Sequence, residues 1–307
     1  FRPHSLNDHL ANGRPWDLDR THGGLQVLPP YQGGDDGEGF AEGNADALFR
    51  QAEFIREFGP DLVLVLSADH LYTLDYRDVV ATHGEAGAAL TMVTTELEGD
   101  VSRYGVVEAD GGRVTGFAYK PDEPKTNLVA AEIFLYSTDK LLGTLEHLAQ
   151  RGGGLEDYGH GLVPYLVEHE TVAEHRFEGY WRDVGTLESY WDAHMELLSG
   201  KGLELENPDW PVLTASPQRL PAFVARGAEV ENSLLAPGAR VAGKVVRSVV
   251  GPGATVEAGA TVTDSVLLGG VRVVAGAQLE RAVIDVGAEV KGAVGSPSGE
   301  LVLLGGP

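Results

Sequence analysis

Gly253-Ala254-Thr255-Val256-Glu257-Ala258-Gly259-Ala260-Thr261-Val262 states one theme twice in ten residues: glycine, alanine, threonine, valine. The theme recurs with variations as Gly227-Ala228-Glu229-Val230, Gly238-Ala239-Arg240-Val241, Gly276-Ala277-Gln278-Leu279 and Gly287-Ala288-Glu289-Val290, which makes six copies. Glycine permits a tight left-handed corner, alanine fits inside it, and the branched residue two positions on points into a narrow core. Stacked corners of this kind build a left-handed parallel β-helix of hexapeptide repeats, expected over residues 223–307. A glycine-rich flexible tail is the competing reading. It fails because the interleaved Val, Leu and Ile runs would then lie in water.

Upstream of the proline-bearing Asn207-Pro208-Asp209-Trp210-Pro211 the texture changes. Residues 1–43 are rich in Gly, Asp and Pro, with Leu25-Gln26-Val27-Leu28 as a possible short strand. A helix is expected from Asn44 as N-cap, with Leu48, Ala52, Phe54, Ile55 and Phe58 as its apolar stripe and Gly59-Pro60 as its stop. Leu62-Val63-Leu64-Val65-Leu66 reads as a strand buried on both faces. A helix over 75–83, a strand over 88–95 and a hairpin over 104–119 follow, the hairpin turning at Ala109-Asp110-Gly111-Gly112. Next come a strand over 128–136, helices over 139–149 and 162–168, and a last helix from Thr186 as N-cap to just before Gly200. Strands alternating with helices imply an α/β domain with a mainly parallel sheet layered on both faces. The expected boundaries are 1–207, a linker 208–222, and 223–307.

The chain has 307 residues and 43% hydrophobic content, enough for two domains. Nothing approaches the ~18 consecutive apolar residues of a membrane span, and residues 1–20 lack the order of a signal peptide. There is no cysteine, so neither disulfides nor thiolate zinc sites are available. A cytoplasmic location is the default expectation. With 23 basic against 46 acidic residues the net charge is −23, which argues against nucleic acid or anionic membrane as partner. The scarce lysines and arginines inside motifs therefore carry more weight.

Two acids sit where α/β proteins place metal-binding carboxylates, at the carboxyl ends of strands. Asp69 follows the strand ending at Leu66, and Asp183 lies in Tyr180-Trp181-Arg182-Asp183-Val184-Gly185-Thr186, between a strand end and a helix start. Both could converge on one Mg²⁺. The plainer alternatives are an Asx turn or helix cap for Asp69 and a cap of the Thr186 helix for Asp183.

The ordered motifs Leu28-Pro29-Pro30-Tyr31-Gln32, Glu42-Gly43-Asn44-Ala45-Asp46-Ala47, Ser67-Ala68-Asp69-His70-Leu71-Tyr72, Tyr104-Gly105-Val106, Tyr119-Lys120-Pro121 and Tyr180–Thr186, followed by the β-helix, resemble the ADP-glucose pyrophosphorylases. The resemblance covers nearly the whole chain. It implies a Rossmann-like nucleotidyltransferase domain in which a sugar phosphate oxygen attacks the α-phosphorus of ATP and pyrophosphate leaves. It implies that Asp69 and Asp183 hold Mg²⁺, that Lys120 meets the phosphate of glucose 1-phosphate, and that Gln32 and Gly43 lie in the nucleotide region. Tyr104, Gly105 and Glu132 are the further substrate-binding candidates. It also implies ADP-glucose synthesis for glycogen or another α-glucan, sugar-phosphate effectors and a homotetramer.

Three residues depart from the family pattern: Tyr119 stands where an acid usually precedes the lysine, Glu132 where a glycine is usual, and Glu42 where an arginine is common. The carboxylate lost beside Lys120 and gained at Glu132 reads as compensation, with Glu132 accepting from sugar hydroxyls. The family's opening βα unit with its glycine-rich loop does not precede Phe1, so the chain is expected to be an N-terminally truncated copy that makes little ADP-glucose by itself. The rival readings are a pyrophosphorylase for another nucleotide or sugar and a non-catalytic regulatory subunit. A hexapeptide acyltransferase ranks last, since no histidine follows Gly200.

Overall fold

The computed structural model describes residues 4–28, 31–32, 39–41, 43–151, 155–216 and 218–305. The elements before the β-helix run α1 (His4–Leu10), β1 (Tyr31–Gln32), β2 (Gly39–Phe40), α2 (Asn44–Arg50), α3 (Ala52–Phe58), β3 (Leu62–Leu66), β4 (His70–Tyr72) and α4 (Tyr76–Ala86). They continue with β5 (Leu90–Glu96), β6 (Gly105–Asp110), β7 (Arg113–Tyr119), β8 (Leu128–Ser137), α5 (Thr138–Gln150), α6 (Leu162–His169), β9 (Val172–Arg176), β10 (Trp181–Asp183) and α7 (Leu187–Leu198). Contacts divide the chain into two compact units, one of Leu28–Ala68 with Tyr72–Trp181, the other of Phe1–Val27 with Asp69–Leu71 and Arg182–Pro307. This division groups α7 with the β-helix, whereas the sequence texture changes near residue 207.

The first unit is built on a six-stranded sheet ordered β3-β8-β5-β9-β7-β6. Successive residues of β8 point to opposite faces, so Phe134 and Tyr136 join one apolar cluster with Leu141, Leu145, Leu162 and Leu166 of α5 and α6. Ile133 and Leu135 join another with Val79 of α4, Phe177 and Trp181. Covering both faces explains the near-continuous apolar run of β8. The expected mainly parallel sheet is corrected here: among the described residues of this sheet only β5–β9 is a parallel pair, and β8 lies antiparallel between β3 and β5. The cause is the β6–β7 hairpin, which turns the chain back after β5 so that β8 enters in the reverse direction.

Other expectations are corrected locally. β3 stands at the sheet edge, half-buried with Leu66 exposed, and is not enclosed on both faces. The helix expected over 44–58 is two helices broken at Gln51, and of the expected stripe Phe54 and Phe58 are exposed. Gly43, not Asn44, is the N-cap residue of α2; the Asn44 side chain instead accepts from the Tyr158 N–H at 2.7 Å. Residues 25–28 form no strand.

In the second unit the hexapeptide texture becomes three ladders of five parallel strands. One ladder stacks Val224, Val241, Val256, Val273 and Val290 in register, and the last four of these are fully buried. Glycines such as Gly253 (φ 69°) and Gly276 (φ 77°) take the left-handed corners, with buried Ala254 and Ala277 beside them. A second column of corners is made without glycine, by Asn232, Arg247, Asp264 and Arg281 at φ 42–48°. Behind it runs a serine ladder: Ser248 and Ser265 are buried, and the Ser248 hydroxyl oxygen accepts the Ser265 N–H at 3.1 Å.

Candidate active site

Asp183 closes β10, and β10 pairs with β4 in a two-stranded sheet. The Val184 N–H donates to the Asp69 carbonyl at 2.9 Å, which draws the two acid-bearing segments together. Asp183 Oδ1 accepts the Gly185 N–H at 2.7 Å. A Cβ on Gly185 would lie 2.9 Å from Asp183 Oδ1 and 3.2 Å from Asp69 Oδ2, so both carboxylates converge on the space beside Gly185. The helix-cap alternatives for the two acids are taken by other residues. Thr186 caps α7, its hydroxyl oxygen accepting from the Ser189 N–H while its own N–H donates to Ser189 Oγ, each at 3.1 Å. Asp75 caps α4.

Two oxygens from two carboxylates suit a hard divalent cation of the Mg²⁺ type, which keeps several waters and takes its remaining ligands from substrate phosphates. Among the described residues no group of three or more His, Asp or Glu forms a dedicated cage. Asp69 and Asp183 would hold the ion.

The other candidates lie in the sheet unit. Lys120 is exposed, at φ 47°, with its ammonium 4.7 Å from the centre of the Tyr119 ring. Its N–H donates to the Tyr104 carbonyl at 3.0 Å, which ties two candidates together. Gly105 has a packing reason to be glycine, since a Cβ there would meet the Phe117 ring at 2.7 Å. Gly43 has another: a Cβ would sit 1.8 Å from the Glu156 carbonyl oxygen. Gln32 pairs with Gly39 through the backbone. Glu42 lies outside the described residues.

The departures at Tyr119 and Glu132 are joined by a segment that the sequence reading passed over. Tyr119 donates its hydroxyl to Asp157 Oδ2 at 2.6 Å, and Tyr158 donates to Glu132 Oε1 at 2.7 Å. Burial, reinforced by those carboxylates, pushes both phenols up, so they stay protonated donors. Glu132 sits at φ 53°, a left-handed backbone that glycine adopts freely and other residues adopt at a cost. Glu132 and Tyr158 line a cavity of about 200 Å³ with Asn44, Ser67, Phe134 and Tyr136 among its walls. The signal for Asp157 and Tyr158 was a Glu156-Asp157-Tyr158-Gly159 run just ahead of a helix; its glycine is required because a Cβ at 159 would enter the Tyr119 ring.

Comparison with known proteins gives this arrangement its setting. Residues 1–200 match the family described as Nucleotidyl transferase, and residues 221–295 match the family described as GlmU-like, C-terminal hexapeptide. Glucose-1-phosphate adenylyltransferase of Desulforamulus reducens is 33% identical over 290 residues, covering 93% of this chain and 72% of that protein. The chain belongs to the glucose-1-phosphate adenylyltransferase family of nucleotidyl transferases. The enzyme of the same name from Thermotoga maritima is 37% identical over 268 residues, 85% of this chain and 63% of the relative. That from Thermomicrobium roseum is 40% identical over 242 residues, 78% and 56% respectively. The chain thus spans somewhat under two thirds of the length of these two family members. Among its described residues no helix is long and apolar enough to cross a membrane.

Proposed function

We propose that this protein transfers the adenylyl group of ATP to α-D-glucose 1-phosphate, giving ADP-glucose and pyrophosphate. The observation that carries the proposal is the convergence of Asp69 and Asp183 on Gly185, in a chain of this family. In the reaction a phosphate oxygen of the sugar phosphate attacks the α-phosphorus in line, and the bond to pyrophosphate breaks. Such a displacement needs charge neutralisation and alignment more than covalent help from the protein. When bound, Mg²⁺ would supply positive charge to offset the negative charge that builds on the reacting phosphates.

The protein's own residues do the rest. Asp69 and Asp183 hold the cation in place, and the Gly185 N–H fixes the rotamer of Asp183. Lys120 carries an ammonium suited to the phosphate of glucose 1-phosphate as a point charge; among the described residues it has no carboxylate partner. Gln32 and Gly43 serve the nucleotide, and Tyr104, Gly105 and Glu132 the sugar. A homotetramer, sugar-phosphate effectors, a cytoplasmic location and a place in glycogen or α-glucan synthesis complete the proposal.

A second reading has one observation in its favour. Glu132 and Tyr119 replace the family's glycine and acid and are bound into the Tyr158 and Asp157 pairs, so the sugar accepted can differ from glucose. Pyrophosphate release should be measured with ATP against a panel of hexose 1-phosphates, then with glucose 1-phosphate against other nucleoside triphosphates. Preference for ATP with glucose 1-phosphate supports the first reading. Preference for another sugar phosphate supports the second, and no release with any pair from a form that carries the family's opening βα unit would defeat both.

A further inference from the structure

α7 begins two residues after Gly185, so whatever fixes this helix also fixes the segment that carries Asp183. At its start the helix is held by the Thr186 and Ser189 capping box. Along its length it is held to the β-helix by Trp191. The indole N–H of Trp191 donates to the Asp264 carbonyl at 2.7 Å, and the Arg281 guanidinium lies 4.5 Å from the centre of the indole ring.

Both partners belong to the column of left-handed corners that does without glycine. Asp264 and Arg281 stand one coil apart there, and Arg247, one coil earlier, forms an ion pair with the Asp264 carboxylate. An ordinary residue gains nothing from a left-handed backbone, so such conformations persist only where surrounding structure over-determines them. In this column the corners turn the Asp264 carbonyl toward Trp191 and bring the Arg281 cation over the indole. Among the described residues no backbone N–H donates to the Asp264 carbonyl, so the indole supplies a hydrogen bond that the ladder leaves open. Closer to the acid pair, Arg182 forms ion pairs with Glu196 and Asp192, tying the residue before Asp183 to the same helix.

We propose that Trp191 is a positioning residue for the acid pair: clamped between the Asp264 carbonyl and the Arg281 guanidinium, it fixes the placement of α7 and through it the orientation of the Asp183 carboxylate beside Asp69. The inference rests on the reading of Asp69 and Asp183 as cation ligands. It makes the corner column of the β-helix part of the metal site's support, since a carboxylate pair binds a small hard cation well only when its oxygens are held in place.

Mn²⁺ is the probe, its binding to the intact protein followed by loss of the free-ion EPR signal, without substrates. Trp191→Phe keeps an aromatic ring and removes the donor; Arg281→Gln removes the cation at a partly exposed corner; Arg281→Lys restores it. Trp191→Phe and Arg281→Gln should each weaken Mn²⁺ binding about three- to tenfold, the range expected when coupling is carried by a supporting side chain. Arg281→Lys should recover most of the loss, and far-UV circular dichroism should stay that of the parent. Asp183→Asn should abolish the tight site. Loss of binding in Asp183→Asn with parental affinity in both clamp variants would overturn the proposal while leaving the metal reading intact. Parental affinity in Asp183→Asn would overturn the metal reading, and this inference with it.

Discussion

In the β-helix each strand pairs with the strand one coil on, fifteen to twenty residues away, whereas β8 of the six-stranded sheet pairs Ser137 with Leu62 on one side and Tyr136 with Leu90 on the other. Both regions bury the same kinds of side chain. They differ in who depends on whom. A coil touches only its neighbours, so stability there is close to a sum of local terms. β8 contributes to all three apolar clusters of the sheet, so damage to it reaches every layer.

The largest expected effect tests that difference. Phe134→Ala should cost ~3–5 kcal/mol, and Leu279→Ala in the β-helix ~2–5 kcal/mol, because both side chains are buried and leave cavities. The costs are similar, but the reach is not. Hydrogen exchange read by mass spectrometry should show faster exchange across β3, β5 and β8 in Phe134→Ala. In Leu279→Ala the change should stay within the coils that carry Val262, Leu279 and Val294. Equal spread in the two variants would break the comparison.

The acid pair comes next. In a form carrying the family's opening βα unit, Asp183→Asn should lower kcat by ~10² or more with little change in substrate binding, since an amide is a poor ligand for a hard cation. Lys120→Ala should raise KM for glucose 1-phosphate by a factor of ~30 to ~1,000, the equivalent of ~2–4 kcal/mol for a charged partner of a phosphate, and do so far more than for ATP. Steady-state kinetics in both substrates separates the two roles. A near-normal kcat in Asp183→Asn at saturating Mg²⁺, or equal KM changes in Lys120→Ala, would remove the respective assignment.

The same contrast governs what the sequence could tell. The β-helix was legible because its glycine corners and inward valines repeat within one coil. Most helices and strands of the sheet unit were legible too, since capping and alternation are local. What was not legible was pairing: nothing near β8 marks it as antiparallel to both neighbours, because the hairpin that reverses it is a property of β6 and β7. The edge position of β3 was hidden for the same reason. In the site, Asp69 and Asp183 stood out by their place at strand ends. Asp157 and Tyr158 were missed, because the residues they hydrogen-bond lie tens of positions away at Tyr119 and Glu132.

Glycine sharpens the comparison at a smaller scale. Gly276 of the β-helix has open space around a would-be Cβ but a φ of 77°, so Gly276→Ala should cost only the left-handed strain, ~1–2 kcal/mol. Gly43 has an extended backbone and no such strain, yet a Cβ would strike the Glu156 carbonyl. Gly43→Ala must therefore displace the segment that carries Asp157 and Tyr158. Urea unfolding gives the first number. For the second, near-ultraviolet circular dichroism of the Tyr119 and Tyr158 cluster should change in Gly43→Ala and stay parental in Gly276→Ala.

The smallest effect concerns a buried histidine under the sheet, a kind of group that the β-helix core lacks. His83 is held by Thr91 Oγ1 at its Nδ1 (2.8 Å) and by Ser137 Oγ at its Nε2 (3.0 Å), and the Ser137 hydroxyl donates onward to the Ala88 carbonyl at 2.9 Å. That chain assigns the proton of the neutral ring to Nε2, with Nδ1 accepting from Thr91. A second proton on Nδ1 would face the Thr91 hydroxyl hydrogen, and burial already holds the His83 pKa below its ordinary value. The folded state therefore resists protonation more than the unfolded chain does. Above the unfolded value of ~6.5 neither state takes the proton and stability is unaffected. As pH falls below it the unfolded chain binds first, and stability drops by up to ~1.4 kcal/mol per pH unit until the folded ring also titrates. His175, also lowered by burial and bonded to Thr82, adds a second contribution of the same sign. Urea unfolding at pH 7.5 and pH 5.5 should show His83→Gln losing less stability on acidification than the parent, with part of the slope remaining from His175. An unchanged slope would mean that the Thr91 and Ser137 hydroxyls turn to accommodate the imidazolium without cost.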